Sequence, residues 1–430
     1  MNLLSFNTSG DFYFYRMKKL FPILFSLVSC LASAQQAAVV DSLKKDAVNV
    51  FLDCQWCDAD FFRKQITFVN YVRERKEADV HILITSQTNG SGGESFSFLF
   101  IGQKKFAGIN DTLVYTSKAD ATDDETREGQ AAVLKMGLIR YVSKTPFSKY
   151  IEITMSAPSS DENVKDKWRN WVFNLDASGY FNGQEASKSL NSWSSINANK
   201  ITEDWKVEFH LNANYSESRY QIDDTTEIKS VNTSKKFEYL LVKSINDHWS
   251  AGGFAWIENS TFNNLDLSYT IAPSVEYNLF KYSEATRKQL RFLYGVGYSY
   301  RDYTDTTIYN KTEETLFGHR LSIGLEAKQK WGSIETTLIG SNYFHDFSLN
   351  NVQLREWLNL RLFKGFSIRL GGSVSFIHDQ ISLPKSGASL EEILLQQRQL
   401  ATAYSFWGNF GISYTFGSIY SNVVNPRFGN

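Results

Sequence analysis

Proline, cysteine, net charge and long apolar runs are all scarce in this 430-residue chain, and each scarcity closes off a class of protein. Past the N-terminal region no apolar stretch approaches the ~20 residues that a membrane helix needs. Mean hydropathy is −0.32, so a bundle of membrane helices is excluded. Lys+Arg (45) and Asp+Glu (46) nearly cancel, and no basic stripe runs along the chain, which leaves nucleic-acid binding without electrostatic support. The pairs Lys104-Lys105 and Lys235-Lys236 read as solvated or strand-end charges. No proline stands between Pro22 and Pro146, a gap that bears on the cysteines below. Aromatic residues, by contrast, are plentiful at 15%.

The segment MKKLFPILFSLVSCLASAQQ from Met17 has a Lys18-Lys19 start, an apolar run from Leu20 to Leu31, and Ala32-Ser33-Ala34 in the A-x-A form of a cleavage site. It predicts an export signal over 1–34 with Met17 as the true start. Leu27-Val28-Ser29-Cys30 also has the look of a lipoprotein signal, which would leave Cys30 lipidated. The plain alternative for Cys30 is a small apolar residue in a discarded peptide.

Residues 46–155 mix periods, as a compact α+β domain does. Val48–Leu52 predicts a short strand, Ala59–Gln65 one or two helical turns, and Asp79–Gln87 an alternating strand. Asn89–Gly93 supplies a turn and Ser95–Ile101 the returning strand of a hairpin. Asp111–Thr116 adds another strand; Thr122-x-x-Glu125 is a capping box opening a helix to about Val142. Residues 156–167, polar and containing Pro158, read as a linker.

From Trp168 to about residue 417 the chain alternates. Leu267, Tyr269, Ile271, Pro273, Val275, Tyr277 and Leu279 share one face, while Ser268, Thr270, Ser274, Glu276 and Asn278 share the other. Phe366-to-Phe376 (FSIRLGGSVSF) repeats the pattern with Phe366, Ile368, Leu370, Val374 and Phe376 against Arg369, Ser373 and Ser375. Successive side chains of a strand point to opposite faces, so each segment has one oily and one wet surface. A soluble sandwich alternates too, and length and count separate the cases. About twelve such segments are present, most of them longer than the ~5–6 residues of globular strands and matching tilted membrane strands of ~9–11 residues with extensions. Links after the second, fourth, eighth and tenth strands are tight, whereas links after odd strands are mostly longer, up to 382–401. Short periplasmic turns, longer outer loops and aromatic residues near strand ends are the barrel pattern. The expected fold is thus an all-β transmembrane barrel of about twelve antiparallel strands, preceded by a small α+β periplasmic domain and followed by a tail over 418–430.

In the last strand, Asn409, Gly411, Tyr414 and Phe416 resemble the terminal β-signal read by the barrel assembly machinery, although further residues follow it here. The chain from Trp168 onward resembles the uncharacterised outer-membrane barrel families of Gram-negative bacteria, including the DUF481-like group. That resemblance implies an architecture and the cell outer membrane; it carries no catalytic residue across.

Cys54-Gln55-Trp56-Cys57 follows a predicted strand and precedes a helix, the place of a thioredoxin-like redox pair. The proline gap removes the cis-proline segment of such folds, and His81 is the only histidine nearby to help build a zinc site. A structural disulfide is the plainer reading in an oxidising compartment, and no metal or cofactor is expected. His248-Trp249-Ser250 has the H-x-S spacing of some lipid-modifying barrels. Its place beside a tight turn argues against it, so the expectation is no enzyme. Glu208, His210, Glu276, Arg291, Arg301, Arg320, Glu326, Arg355, Arg361 and Arg369 fall on the polar face and are candidate pore-lining charges. The competing reading pairs them with each other in a barrel filled by its own side chains. Ser389-x-x-Glu392 caps LEEILLQQRQLA, with Leu390, Ile393, Leu394 and Leu400, which predicts a short helix covering the rim or plugging the barrel. Expected partners are outer-membrane lipid, the assembly machinery and a periplasmic protein. Two functions stay open: a passive pore for small polar solutes, or a non-conducting anchor whose periplasmic domain binds that protein.

Overall fold

A computed structural model describes residues 46–54, 57–90, 92–154, 166–221, 225, 227–387, 399–420, 422 and 427. The export signal with Cys30, most of the linker, and the Ser389–Glu392 capping box lie outside these residues.

The N-terminal unit comprises β1 (Asn49–Asp53), α1 (Ala59–Gln65), β2 (Asn70–Tyr71), β3 (Val80–Thr88), β4 (Glu94–Gly102), β5 (Asn110–Thr116) and α2 (Asp123–Val142). Its sheet order is β2-β1-β3-β4-β5, with β1 parallel to both neighbours and the remaining pairs antiparallel. α2 starts where the sequence marks it, because the Thr122 side chain takes the Glu125 amide while the Glu125 carboxylate takes that of Thr122. Val50, Ile82, Phe98 and Phe100 turn toward Phe62 of α1 and Leu134, Leu138 and Tyr141 of α2 in one apolar core. Alternation then commits Phe51, Asp53, His81, Leu83 and Thr85 to the opposite face, which no helix covers. The two-residue β2 carries no periodic pattern and was not foreseen from the sequence; its pairing to β1 supplies it.

The second unit is one twelve-stranded antiparallel sheet in which each strand pairs with its neighbours in sequence. It runs β6 (Trp171–Gln184), β7 (Ser187–Ile201), β8 (Trp205–Gln221), β9 (Glu227–Ser244), β10 (Trp249–Ser260) and β11 (Leu265–Asn278). It continues β12 (Lys288–Tyr303), β13 (Glu313–Gln329), β14 (Gly332–Tyr343), β15 (Asn350–Phe363), β16 (Phe366–Ile377) and β17 (Tyr404–Tyr414). The fold class read from the alternation is therefore the one found: mostly β, with twelve antiparallel strands after a small α+β unit.

β6 and β17 are the two edges of the sheet, and no ladder joins them among the described residues. Both ends of the sheet nevertheless reach one small domain. A Cβ on Gly90 would lie 2.7 Å from that of Ile201 at the end of β7, and one on Gly92 would lie 3.5 Å from Val172 in β6. On the other side, Arg75 donates to the Lys330 carbonyl, Lys364 pairs with Glu77 at 3.0 Å, and the Gly365 amide donates to Glu74 at 3.1 Å. The sheet must curl for strands so far apart in order to meet one body about a hundred residues long.

Of the described residues after β17, Ile419, Tyr420 and Asn422 contact the small domain. Tyr420 bridges Val72 in antiparallel fashion, the Arg73 amide donates to the Ile419 carbonyl at 2.9 Å, and the Tyr71 amide donates to Asn422 at 2.6 Å. At the far end of the sheet the long loops brace one another. Asn264 donates to the carbonyls of Asp305 (2.8 Å) and Ser382 (2.9 Å), and Thr307 bridges Pro384.

The domain core allows a direct test. A Cβ at Gly137 of α2 would overlap the Phe100 ring, so Gly137→Val is an overpacking change in a site without slack. It should destabilise the domain by ~1–3 kcal/mol, read as faster hydrogen exchange of α2 amides in the full chain, while Gly340→Val in the large sheet, with open space around it, should leave those amides unchanged.

Candidate functional site

The uncovered face of the domain sheet lies over the end of the twelve-stranded sheet that carries the tight turns. β1 delivers Asp53 there because Val48 and Val50 occupy the core parity of the strand. Arg361, two residues before the β15 end, forks onto both carboxylate oxygens of Asp53. Its guanidinium also lies 5.6 Å from the centre of the Phe51 ring. Such a bidentate pair fixes orientation as well as distance.

His81 of β3 completes the cluster, its Nε2 2.9 Å from Asp53 Oδ2. Burial alone would push the Asp53 carboxyl up; the hydrogen bonds and charges of His81 and Arg361 overcome it and hold the group below the ordinary carboxylate value. Burial likewise pushes His81 down, against the pull of Asp53, so the ring is neutral and donates its Nε2 proton to an ionised Asp53. Nδ1 is then a buried lone pair, with no partner among the described residues.

Register puts all ten candidate lining charges on one face of the large sheet. Cross-strand partners share a face, and the rows Glu208–Leu240–Phe254–Ala272, Arg291–Gly324–Thr337–Arg355–Ser373 and Asn359–Arg369–Gly411 carry that face round the sheet. Several are paired: Glu208 with Lys206 (3.1 Å) and His210 (3.8 Å), Arg291 with Glu276 (3.8 Å), and Glu326 with Lys328 (2.7 Å). Arg301 donates to the Tyr343 hydroxyl at 3.0 Å. Arg320, Arg355 and Arg369 have no ion-pair partner among the described residues and are exposed on that face. Glu356 stands on the opposite, apolar face, between Leu354 and Leu358 along its strand, and accepts from Thr336 at 2.6 Å.

Cys54 and Cys57 are joined in a disulfide beside Asp53, at the rim of the docked face. His248 and Ser250 are not brought together. His248 Nδ1 lies 2.8 Å from the Asn278 carbonyl and Ser250 Oγ 3.1 Å from the Tyr282 hydroxyl, which in turn donates to Glu276. Asn409 and Gly411 sit in β17 opposite Gly371 and Arg369, and Tyr414 stacks on Phe416 with ring centres 5.5 Å apart. Sequence reasoning treated Arg361 only as a lining charge and did not find its partner Asp53. The available signal was a carboxylate ending the apolar run Val50-Phe51-Leu52 and a histidine inside Val80-His81-Ile82, both costly to bury without partners.

The docking should loosen in acid. Both folded-state pKa values are depressed, so the unfolded or undocked groups bind protons more readily and stability falls as the pH is lowered. The His81 contribution is lost as pH drops below its ordinary 6.5, and that of Asp53 as pH drops below its ordinary 3.8 toward the depressed value. Removing one partner of a fully buried pair costs ~3–5 kcal/mol, and Arg361→Ala should cost less because its side chain is 32% exposed. Spin labels at Lys118 and Lys200 should give a narrow distance distribution at neutral pH that broadens on acidification, and a broad one in Arg361→Ala at every pH. A distribution indifferent to both changes would contradict the assignment.

Residues 180–380 match the family model described as a protein of unknown function, DUF481. No match is found among the curated proteins. The strand region of this chain, from within β6 to just past β16, is DUF481-like.

Proposed function

We propose that the chain is an outer-membrane β-barrel whose periplasmic mouth is stoppered by its own N-terminal domain, and that it works as a gated passive pore for small polar solutes. An apolar outward face and a polar inward face suit a wall between lipid and water, and closure of the seam between β6 and β17 would leave no backbone edge in hydrocarbon. Outer-membrane lipid and the assembly machinery are the partners that such a barrel requires.

One observation carries the gating: a charge of the inward face, Arg361, is spent on a carboxylate of the domain rather than on another strand. Undocking would return that arginine to the lumen beside Arg369 and Arg355. The free arginines Arg320, Arg355 and Arg369 would make the open lumen favour anions. A second reading, a non-conducting anchor whose domain serves a periplasmic partner, draws support from the bracing of the long loops by Asn264 and the Thr307–Pro384 bridge at the other end.

Planar-bilayer recording separates the two. The wild-type protein should pass little current at neutral pH, and Asp53→Ala or Arg361→Ala should open discrete steps. Silence in the wild type, both variants and a form lacking residues 382–401 would leave only the anchor. In the conducting variants, replacing Arg320, Arg355 and Arg369 together by glutamine should lower the anion-over-cation permeability ratio several-fold, measured as a reversal potential across a salt gradient.

A further inference from the structure

Between the domain and the tight-turn end of the large sheet lies a cavity of about 200 Å³. The domain contributes Asp53, the Cys54–Cys57 disulfide, Leu83, Thr85, Phe96 and Gln130 to its wall; the large sheet contributes Lys328, Ser333, Asn359 and Arg361. At the ~30 Å³ that a water occupies, this is room for about six or seven waters, or one small solute.

The unmet hydrogen-bonding capacity of the cavity identifies what fits it. Thr85 is only 6% exposed and its hydroxyl has no hydrogen-bond partner among the described residues, while Gln130, 4% exposed, brings a carboxamide to the same wall. A buried polar group left in that state costs ~1–3 kcal/mol, so the unpaired Thr85 hydroxyl on the wall of this space points to a missing occupant. Every charge on the wall is already neutralised: Asp53 by Arg361 and His81, and Lys328 by Glu326. What remains on offer is a hydroxyl at Thr85, carboxamides at Gln130 and Asn359, a hydroxyl at Ser333, and the apolar surface of Leu83 and Phe96.

Topology supplies an independent pointer. The sheet order β2-β1-β3 places β1 between two parallel neighbours, and the cavity opens at the carboxyl end of β1 beside β3. In parallel sheets this is the crevice where the chain leaves in opposite directions and where ligands sit.

We propose that this cavity binds a small, uncharged, hydroxyl-rich solute of monosaccharide size. Each sugar hydroxyl both donates and accepts, which suits lone hydroxyl and carboxamide groups, while a ring C–H face suits Phe96. A carboxylate or ammonium would bring a charge that no free counter-charge on the wall receives. The site rests on the docked arrangement described above but not on conduction, since binding needs only that the two surfaces face each other.

Equilibrium dialysis of the full chain in detergent micelles tests this with labelled neutral hexoses, pentoses and hexitols, and with glucuronate as a comparator of equal size and one negative charge. At least one neutral solute should bind saturably at one site per chain, with glucuronate at least tenfold weaker. Thr85→Val, which keeps the shape, and Gln130→Leu should each weaken binding at least fivefold while the Lys118–Lys200 distance distribution stays narrow. Ser333→Ala tests the same site from the other wall if either domain variant fails to fold. Absence of saturable binding across the neutral panel would mean that water alone fills the cavity, and the proposal would fall. Binding that ignores all three substitutions, or that prefers glucuronate, would overturn it equally. Failure of Arg361→Ala to open a current would count against gating and leave this result standing.

Discussion

An antiparallel ladder allows each residue only the face opposite to that of its neighbour, and everything else in this protein is built on that constraint. Twelve strands paired in sequence order transmit the choice from β6 to β17, so one row fixes the facing of every other row. A slip of one residue anywhere would put Arg355 among the leucines and Leu354 among the charges. The same rule divides the small domain: Val50 and Ile82 go to the helices, and Asp53, His81 and Thr85 go to the surface that meets the large sheet.

That second surface is where burial and charge oppose each other. Asp53 and His81 would be expensive to desolvate alone, and neither the domain nor the large sheet holds a complete set of partners by itself. Arg361 closes the account from the other unit, and backbone contacts at Lys330, Gly365 and Ile419 hold the two in register with it. The result is a joint whose strength depends on ionisation and whose lining keeps an unsatisfied polar group, the Thr85 hydroxyl, beside a cavity between the units.

Much of this was legible before any coordinates. The alternating segment Phe366–Phe376 falls within β16, the expected helical turns at Ala59–Gln65 coincide with α1, and the Thr122–Glu125 box starts α2. Period and capping are local signals, and they survive folding because each element satisfies its own backbone. The alternation expected to run to about residue 417 ends as a strand at Tyr414, since Ile419 and Tyr420 pair with Arg73 and Val72 instead. β2 escaped notice for the same reason: a pairing made between residues far apart in sequence leaves no period to read.

The sequence by itself determined the strands, their number and the face on which each side chain stands, because alternation, turn residues and helix caps act over a few residues. Tertiary structure alone decided that Arg361 leaves the row of inward-facing charges for Asp53, that Tyr420 bridges Val72 of the domain, and that a polar cavity lies between the units. Those outcomes depend on which distant groups come within hydrogen-bonding reach once the sheet has curled. No local pattern encodes a distance of 308 residues.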